Sequence, residues 1–354
     1  MSRESNLPLV TVGMPVRGGE RYMHERFRNL LALDYPHLEI IYSDDASPDR
    51  SQEIAREYAA RDARIRVVTR DQPLGVGGNF GWLMDEAQGK YFFLAAQDDL
   101  HEPSFVRKTV ELLEANPECW GACVGWRFMD NEGRPVDYPD RDGCLMDTRG
   151  MSFGKKMAFF MKGPAGFYLY NLWRLEPLRR ERIRMVELGS YPFFEYPWIL
   201  AILLRGEVAK VEEFLFTYRL HIGGGLMPKP SPHSIGLTLP PEIWEATSEP
   251  RRAFQYLERY GEICEAWAPS QPHRVRQARW ALWSGAFRSY RGSVDWYERC
   301  KHGLGPAWRL AWREKAWKEF LFLTIFLVLK IKPLRWLIRQ QLGHKKIGAR
   351  FSVP

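Results

Sequence analysis

Apolar runs and helical stripes alternate closely over the first hundred residues. Leu7–Val16 (LPLVTVGMPV) is a continuous, β-branched apolar run broken by Pro15, as expected of a strand buried on both faces. Phe27, Leu30 and Leu31 then recur at helical spacing between Glu20 and Leu33. Leu38–Asp45 (LEIIYSDD) is a second buried strand that ends in two carboxylates. A helix is expected from Ser47 and Pro48 through Ala60, because Ser caps free backbone N–H groups and Pro suits a first turn. Ile65–Arg70 predicts a third strand. The glycine-rich Gly75-Val76-Gly77-Gly78-Asn79 leads into another helix, and Lys90–Asp99 (KYFFLAAQDD) predicts a fourth strand with carboxylates at its end. Strands alternating with helices imply right-handed βαβ crossovers and a mostly parallel sheet flanked by helices, a Rossmann-like α/β fold. Ligands of such sheets bind at the carboxyl ends of strands, where Asp44, Asp45, Asp98 and Asp99 fall.

The pattern then changes. Asp130–Gly166 shows turns at Asn131-Glu132-Gly133 and Asp142-Gly143 with no clean period, and a long irregular stretch inside an α/β domain is more often a binding loop than filler. Tyr191–Gly206 resumes as an apolar helix and Val211–His221 as a closing strand. Residues 226–241 are rich in Gly, Pro and Ser and predict a linker. From 242 to 354 a helical extension is expected, with nine of the fourteen tryptophans lying between Trp244 and Trp336.

Composition narrows the classes. Of 354 residues, 45% are hydrophobic and 27% charged, which excludes a disordered or collagen-like chain, and the absence of any run of about 18 uncharged apolar residues excludes a polytopic membrane protein. Five scattered cysteines with no histidine at zinc-ligand spacing predict buried free thiols in a reducing compartment. No apolar stretch suited to a signal peptide precedes the first strand, so a cytoplasmic location is expected. Charge is divided: residues 1–250 carry 30 basic and 36 acidic groups, whereas residues 251–354 carry 21 and 7, a net of +14. Trp with Arg/Lys favours a membrane headgroup layer, although Trp at helical spacing also fits ordinary core packing. Phe320–Leu329 is ten apolar or neutral residues flanked by Lys315, Lys318, Lys330, Lys332 and Arg335. At about 1.5 Å per residue that is half of a bilayer core, so segment 317–338 predicts an interfacial or re-entrant helix at an anionic inner leaflet rather than a span. A basic aromatic end also suits nucleic acid, but an acidic head with strand-end carboxylates would repel phosphate without metal, and no nucleic-acid partner is expected.

Carboxylates at strand ends beside a glycine-rich turn suit Mg²⁺ or Mn²⁺ on a diphosphate, although Asp residues also cap such loops. Three features recur in order: VGMPVRGGE, YSDDASPD, and LAAQDD followed by Pro103. Together they make Val10–Pro103 resemble a family 2 glycosyltransferase of the GT-A fold, and the resemblance extends over a catalytic domain of about residues 1–225. It implies a nucleotide-diphosphate sugar donor, a divalent cation and transfer with inversion. Carried over residue by residue, it implies Pro15, Val16 and Glu20 beside base or ribose, and Asp44, Asp45 and Ser47 on the nucleoside. Gly75, Asn79 and Gln97 would lie on the donor side, and Asp98 would bind metal directly, with Asp99 either a further ligand or a helix cap. Two positions depart from the family: Ala96 stands where the first Asp of the metal motif is usual, and Gly78 stands where an arginine usually precedes Asn79.

Inverting transfer needs a general base. Glu195 lies eleven residues before Gly206 in an apolar setting that raises a carboxyl pKa, and is either that base or a helix-end acid favoured by the macrodipole. Tyr218-Arg219-Leu220-His221 resembles the Y-R-x-H that closes the family's catalytic domain, which implies His221 on the metal or the departing diphosphate and Arg219 neutralising its charge. His101 is not expected to touch the acceptor. The resemblance implies an inverting transferase acting on a hydroxyl of a lipid-linked or cell-surface polysaccharide acceptor at the cytoplasmic membrane. Alternatives are a transferase to polyprenyl phosphate, which needs no base, and a degenerate binding module, for which Ala96 speaks.

Overall fold

The structure, a computed structural model, describes residues 7–137, 147–152, 155–156, 165–185 and 195–221. The expected linker 226–241, the extension 242–354 with segment 317–338, and Cys144, Cys264 and Cys300 lie outside the described residues, as does most of the irregular loop.

Four strands, β1 (Val10–Val16), β2 (Leu38–Asp44), β3 (Ile65–Val68) and β4 (Tyr91–Leu94), form a parallel half-sheet in the order β3-β2-β1-β4. Helices α1 (Glu20–Leu31), α2 (Ser51–Ala59) and α3 (Val76–Glu86) make the crossovers. The continuous apolar run of β1 follows from its place between two neighbours: Val10, Val12 and Met14 are fully buried. Gly13 is required there, since a Cβ would come within 2.7 Å of the Phe92 ring.

Pro15 lies inside a central strand, where a missing N–H normally breaks a ladder. Here the β1–β4 pairing stops at Gly13 and Leu94. Gly13 accepts from Ala95 on the β4 side and Val16 accepts from Asp45 on the β2 side, so alternation sends the Pro15 nitrogen toward a neighbour that has already diverged. The sheet therefore forks between the ends of β1 and β4. The order β3-β2-β1-β4 also makes this the point where chain direction through the sheet reverses, the crevice in which open α/β sheets bind ligands.

The second half is mixed. β5 (Leu100–His101), α4 (Phe105–Ala115), β6 (Cys119–Met129), β7 (Pro135–Val136), a 3-10 turn (Ala165–Tyr170), β8 (Leu172–Arg174), α5 (Leu175–Arg180), α6 (Glu195–Leu203) and β9 (Glu207–Arg219) follow in chain order. The sheet continues β4-β8-β6-β9-β5, with β7 on β6. β8 runs antiparallel to both β4 and β6, β6 and β9 are parallel, and β9 ends antiparallel to β5. The expected parallel sheet thus holds for β1–β4 and gives way to mixed pairing beyond it.

Several boundaries differ from the sequence pattern, among them the closing strand, which runs Glu207–Arg219 rather than Val211–His221. β4 ends at Leu94, not Asp99, and β3 at Val68, not Arg70. The second helix begins at Ser51, not Ser47, because Ala46 adopts φ 60 and turns the chain, Asp44 accepts from the Ser47 N–H, and Asp49 accepts from Ser51. Cys119 and Cys123 are buried free thiols, as expected.

Candidate functional site

The fork is lined by the ends of β2, β1 and β4, and each loop there is tied to its neighbours by side chains. Gly18 N–H donates to Ser47 Oγ at 3.0 Å, Gly19 N–H to Ser51 Oγ at 2.9 Å and Glu20 N–H to Asp49 Oδ2 at 3.0 Å. In return Glu20 Oε2 accepts from the Arg50 N–H at 3.2 Å. The first turns of α1 and α2 therefore cap each other. Glu20 and Ser47, expected on ribose and nucleoside, are engaged in this clasp. Pro15 is partly exposed and Val16 buried at the fork, directly before it.

Asp44 and Asp45 are also internally committed. Asp44 is buried and accepts from Tyr42 Oη at 2.7 Å, Ser47 N–H at 2.8 Å and Gln52 Nε2 at 2.9 Å. Asp45 accepts from Leu74 N–H at 2.6 Å and Gly75 N–H at 3.1 Å, latching the glycine-rich turn, in which Gly75 takes φ 77. A carboxylate with two backbone donors is well satisfied when ionised. Asn79 is buried, accepting from Ser43 Oγ and donating to the Ser43 carbonyl, so it seals the sheet end rather than facing the crevice. The glycine-rich loop is thereby a brace for β2, within which the Gly75 N–H and the Asn79 side chain, expected on the donor side, are bonded.

At the end of β4, Gln97 Oε1 accepts from the Arg17 N–H at 3.3 Å and bridges the fork; a Cβ on Gly19 would fall 2.8 Å from it. Asp98 comes next. Because β9 folds back to pair with β5, His221 is carried to Asp98, with Nε2 2.5 Å from Oδ2. The two side chains are 36% and 19% exposed, so the contact opens to solvent. One carboxylate and one imidazole converging on one point form a donor set that suits Mn²⁺ or Mg²⁺, with diphosphate oxygens and water filling the remaining positions. Among the described residues no group of three or more His, Cys, Asp or Glu could hold a metal, consistent with the loss of a carboxylate at Ala96.

Asp99 and Arg219, expected as a metal ligand or helix cap and on the diphosphate, are both bonded within the fold. Asp99 is buried; Oδ1 accepts from the Arg219 N–H at 2.8 Å, and burial, reinforced by the neighbouring charge of Asp98, pushes its carboxyl well above the usual range. It pins β9. The Arg219 side chain is 1% exposed, and its guanidinium donates to the carbonyls of Asp98, Asp130 and Asn131 and to Glu25 Oε2. With its donors so engaged it supports the Asp98 turn.

Glu195 opens α6, whose Trp198, Ile199 and Leu200 are fully or almost fully buried. A helix that is apolar all round is an interior helix, and its leading carboxyl is pushed by burial up to about 7. Tyr170 and Tyr218 lie close enough to feel Asp98, Asp99 and Glu195, and burial together with these negative charges raises both phenols. Tyr170 falls just after the irregular stretch, where the sequence carries no signal; Tyr218 was quoted only as part of a motif. His101 is buried among Phe93, Phe105 and Phe216, as expected of a residue that does not meet an acceptor.

Residues 11–172 match the family model described as Glycosyl transferase family 2. A stretch of 130 residues is 28% identical to the putative teichuronic acid biosynthesis glycosyltransferase TuaG of Bacillus subtilis (strain 168), covering 37% of this chain and 51% of that protein. The uncharacterized glycosyltransferase EpsJ of the same strain is 35% identical over 111 residues, covering 31% and 32%. The chain thus spans between a third and a half of the length of these relatives. Among solved structures, S. aureus TarS 1–349 superposes with a TM-score of 0.60 at 12% identity, covering 85% of this chain and 80% of that one. The same protein in complex with UDP-GlcNAc gives 0.59. At that identity the likeness is one of fold.

Proposed function

We propose, from the premise that the chain belongs through residues 11–172 to glycosyl transferase family 2, that it moves a sugar from a nucleotide-diphosphate donor to a hydroxyl of a lipid-linked or cell-surface polysaccharide acceptor, with inversion. The observation that carries this reading is the pairing of Asp98 with His221 at the sheet's fork, supported by a carboxyl, Glu195, raised to about 7 by burial. A relative named for teichuronic acid biosynthesis supports the polysaccharide acceptor.

Asp98 and His221 would hold Mn²⁺ or Mg²⁺, which when bound neutralises the charge of the diphosphate as it departs. The loops Pro15–Glu20 and Asp44–Ser47 form the rim on which the nucleoside rests. In a single displacement the acceptor oxygen bonds to the anomeric carbon as the bond to the diphosphate oxygen breaks, and the hydroxyl proton passes to a carboxylate oxygen of Glu195. A value of about 7 suits a general base, since the carboxylate is ionised at and above neutral pH and more basic than an ordinary glutamate. The buried helix behind it excludes water from that side.

The basic, Trp-rich residues 251–354, with a net charge of +14, support contact with an anionic inner leaflet, where a lipid-linked acceptor would be met. Among the described residues no helix is long and apolar enough to cross a membrane.

The decisive experiment is a thermal-shift screen of nucleoside diphosphates and their sugars with and without Mn²⁺, followed by NMR of the product's anomeric configuration. A metal-dependent shift that disappears in Asp98→Ala, and a product of inverted configuration, are expected. A folded protein that no nucleotide stabilises would refute the reading. Transfer that survives undiminished in Glu195→Gln would favour a phosphate acceptor, which needs no base.

A further inference from the structure

Helix α1 packs on its sheet through Met23, Phe27 and Leu30, and beside that apolar face it carries a second stripe of polar or amphipathic side chains at positions 22, 25, 26 and 29, spaced i, i+3, i+4, i+7. All four meet the segment that carries Asp98 or the end of β9 that carries His221. The Tyr22 ring lies 4.6 Å from the Arg219 guanidinium and 6.0 Å from the His221 ring. Glu25 Oε2 accepts from Arg219 at 2.6 Å, and Arg219 Nε in turn donates to the Asp98 carbonyl at 2.9 Å. Arg26, itself buried, donates to the Asp99 carbonyl at 2.8 Å and lies 3.2 Å from His101 Nδ1. Asn29 donates to the His101 carbonyl at 2.8 Å and accepts from its N–H at 3.0 Å.

Backbone groups on three of the four residues from Asp98 to His101 are thus gripped from one helix face, directly or through Arg219. We infer that this stripe of α1 is a jig for the Asp98–His221 pair, and that Glu25 is a positioning residue acting through Arg219. The chemistry favours this over general support. A guanidinium fixed at four points by planar, directional bonds sets the height of the Asp98 main chain, and removing its one charged acceptor lets the fork rotate without emptying any core volume. Partners one step behind a metal ligand typically change metal affinity by about 10–100-fold. The inference rests on the metal-dependent reading of the site, and the experiment separates the two.

Mn²⁺ is titrated into the full chain by EPR with UDP or GDP present, comparing wild type with Glu25→Gln, Asn29→Ala and a control, Glu213→Gln, which weakens an ion pair between mid-β9 and Lys108 of α4, away from the Asp98 turn. A weakening of roughly tenfold or more is expected for Glu25→Gln and Asn29→Ala, with the donor's KM rising more than kcat falls, and none for the control. Unchanged Mn²⁺ affinity in both stripe variants, or an equal loss in the control, would overturn the inference. Should wild type bind no Mn²⁺, the metal reading itself fails, and hydrogen exchange decides: faster exchange at 97–101 in Glu25→Gln with 105–115 unchanged upholds the jig, and unchanged exchange at 97–101 refutes it.

Discussion

The strands β1–β4 and the strands β5–β9 treat their carboxylates in opposite ways. In the first half every acid at the crevice is satisfied: Asp44 and Asp45 each accept at least two hydrogen bonds, and Glu20 and Asp49 close the helix clasp. In the second half Glu195 stands partly buried at the head of an apolar helix and its carboxyl rises to about 7, while His221 meets Asp98 at a contact open to solvent. Satisfied acids make a rigid cradle, and an acid raised toward neutrality is a candidate for proton transfer, although Asp99, also raised, is bonded to β9. On the proposed reading the parallel half is the holder and the half with mixed topology brings the reactive groups.

The comparison breaks if the reactive groups prove dispensable. Glu195→Gln should lower kcat by about 10²–10⁴-fold while leaving donor binding intact, read by steady-state kinetics beside nucleotide titration. With wild type, log kcat/KM should climb with pH and level off above about 7, as the base loses its proton. Asp98→Asn should cost several kcal/mol of charge stabilisation, on the order of 10³-fold in kcat/KM.

Stability measurements sharpen the contrast. The folded value of Glu195, about 7, lies above the ordinary 4.5, so its contribution to folding is complete below about pH 4.5 and is lost as pH rises through about 7. Glu195→Gln should therefore be more stable than wild type at pH 8.5, by up to about 3 kcal/mol, and equal to it near pH 4.5, as urea unfolding would report. In the cradle the sign reverses: Asp45→Asn loses a charge-assisted bond to the Gly75 turn and should cost about 2 kcal/mol near neutral pH. The smallest effect belongs to Ala46, held at φ 60, where Ala46→Gly relieves backbone strain and loses chain stiffness, a net gain of about 1 kcal/mol or less.

The two halves were also unequally legible in the sequence. Each strand of β1–β4 is a local apolar run and each crossover a local stripe, so order, polarity and the strand-end acids could be read directly. Glu195 stands out in the sequence as the single acid in an apolar stretch, and His221 as the close of a motif. What escaped was non-local: β8 is three residues long, and nothing in LWR announces that it will separate β4 from β6 in reverse. Arg219 illustrates the same limit. Its charge suggested a diphosphate, but the four groups that take its donors come from residues 25, 98, 130 and 131, remote in sequence. Glu25 was silent for the same reason, since a helix acid with a distant partner looks like any solvated charge.

The mutual capping of α1 and α2 bears on how a polyanion is received. Many phosphate sites use the free amides and positive dipole of a helix start. Here the amides that open α1 donate to Ser47, Ser51 and Asp49, those that open α2 donate to Glu20 and Asp49, and those before α3 donate to Asp45. Each of these caps includes a carboxylate that offsets the dipole at its own helix start. On the proposed reading a chelator should therefore act on this protein as a competitor of the donor rather than as a mere brake on turnover, because helix starts closed in this way leave the attraction of phosphate to an exchangeable cation.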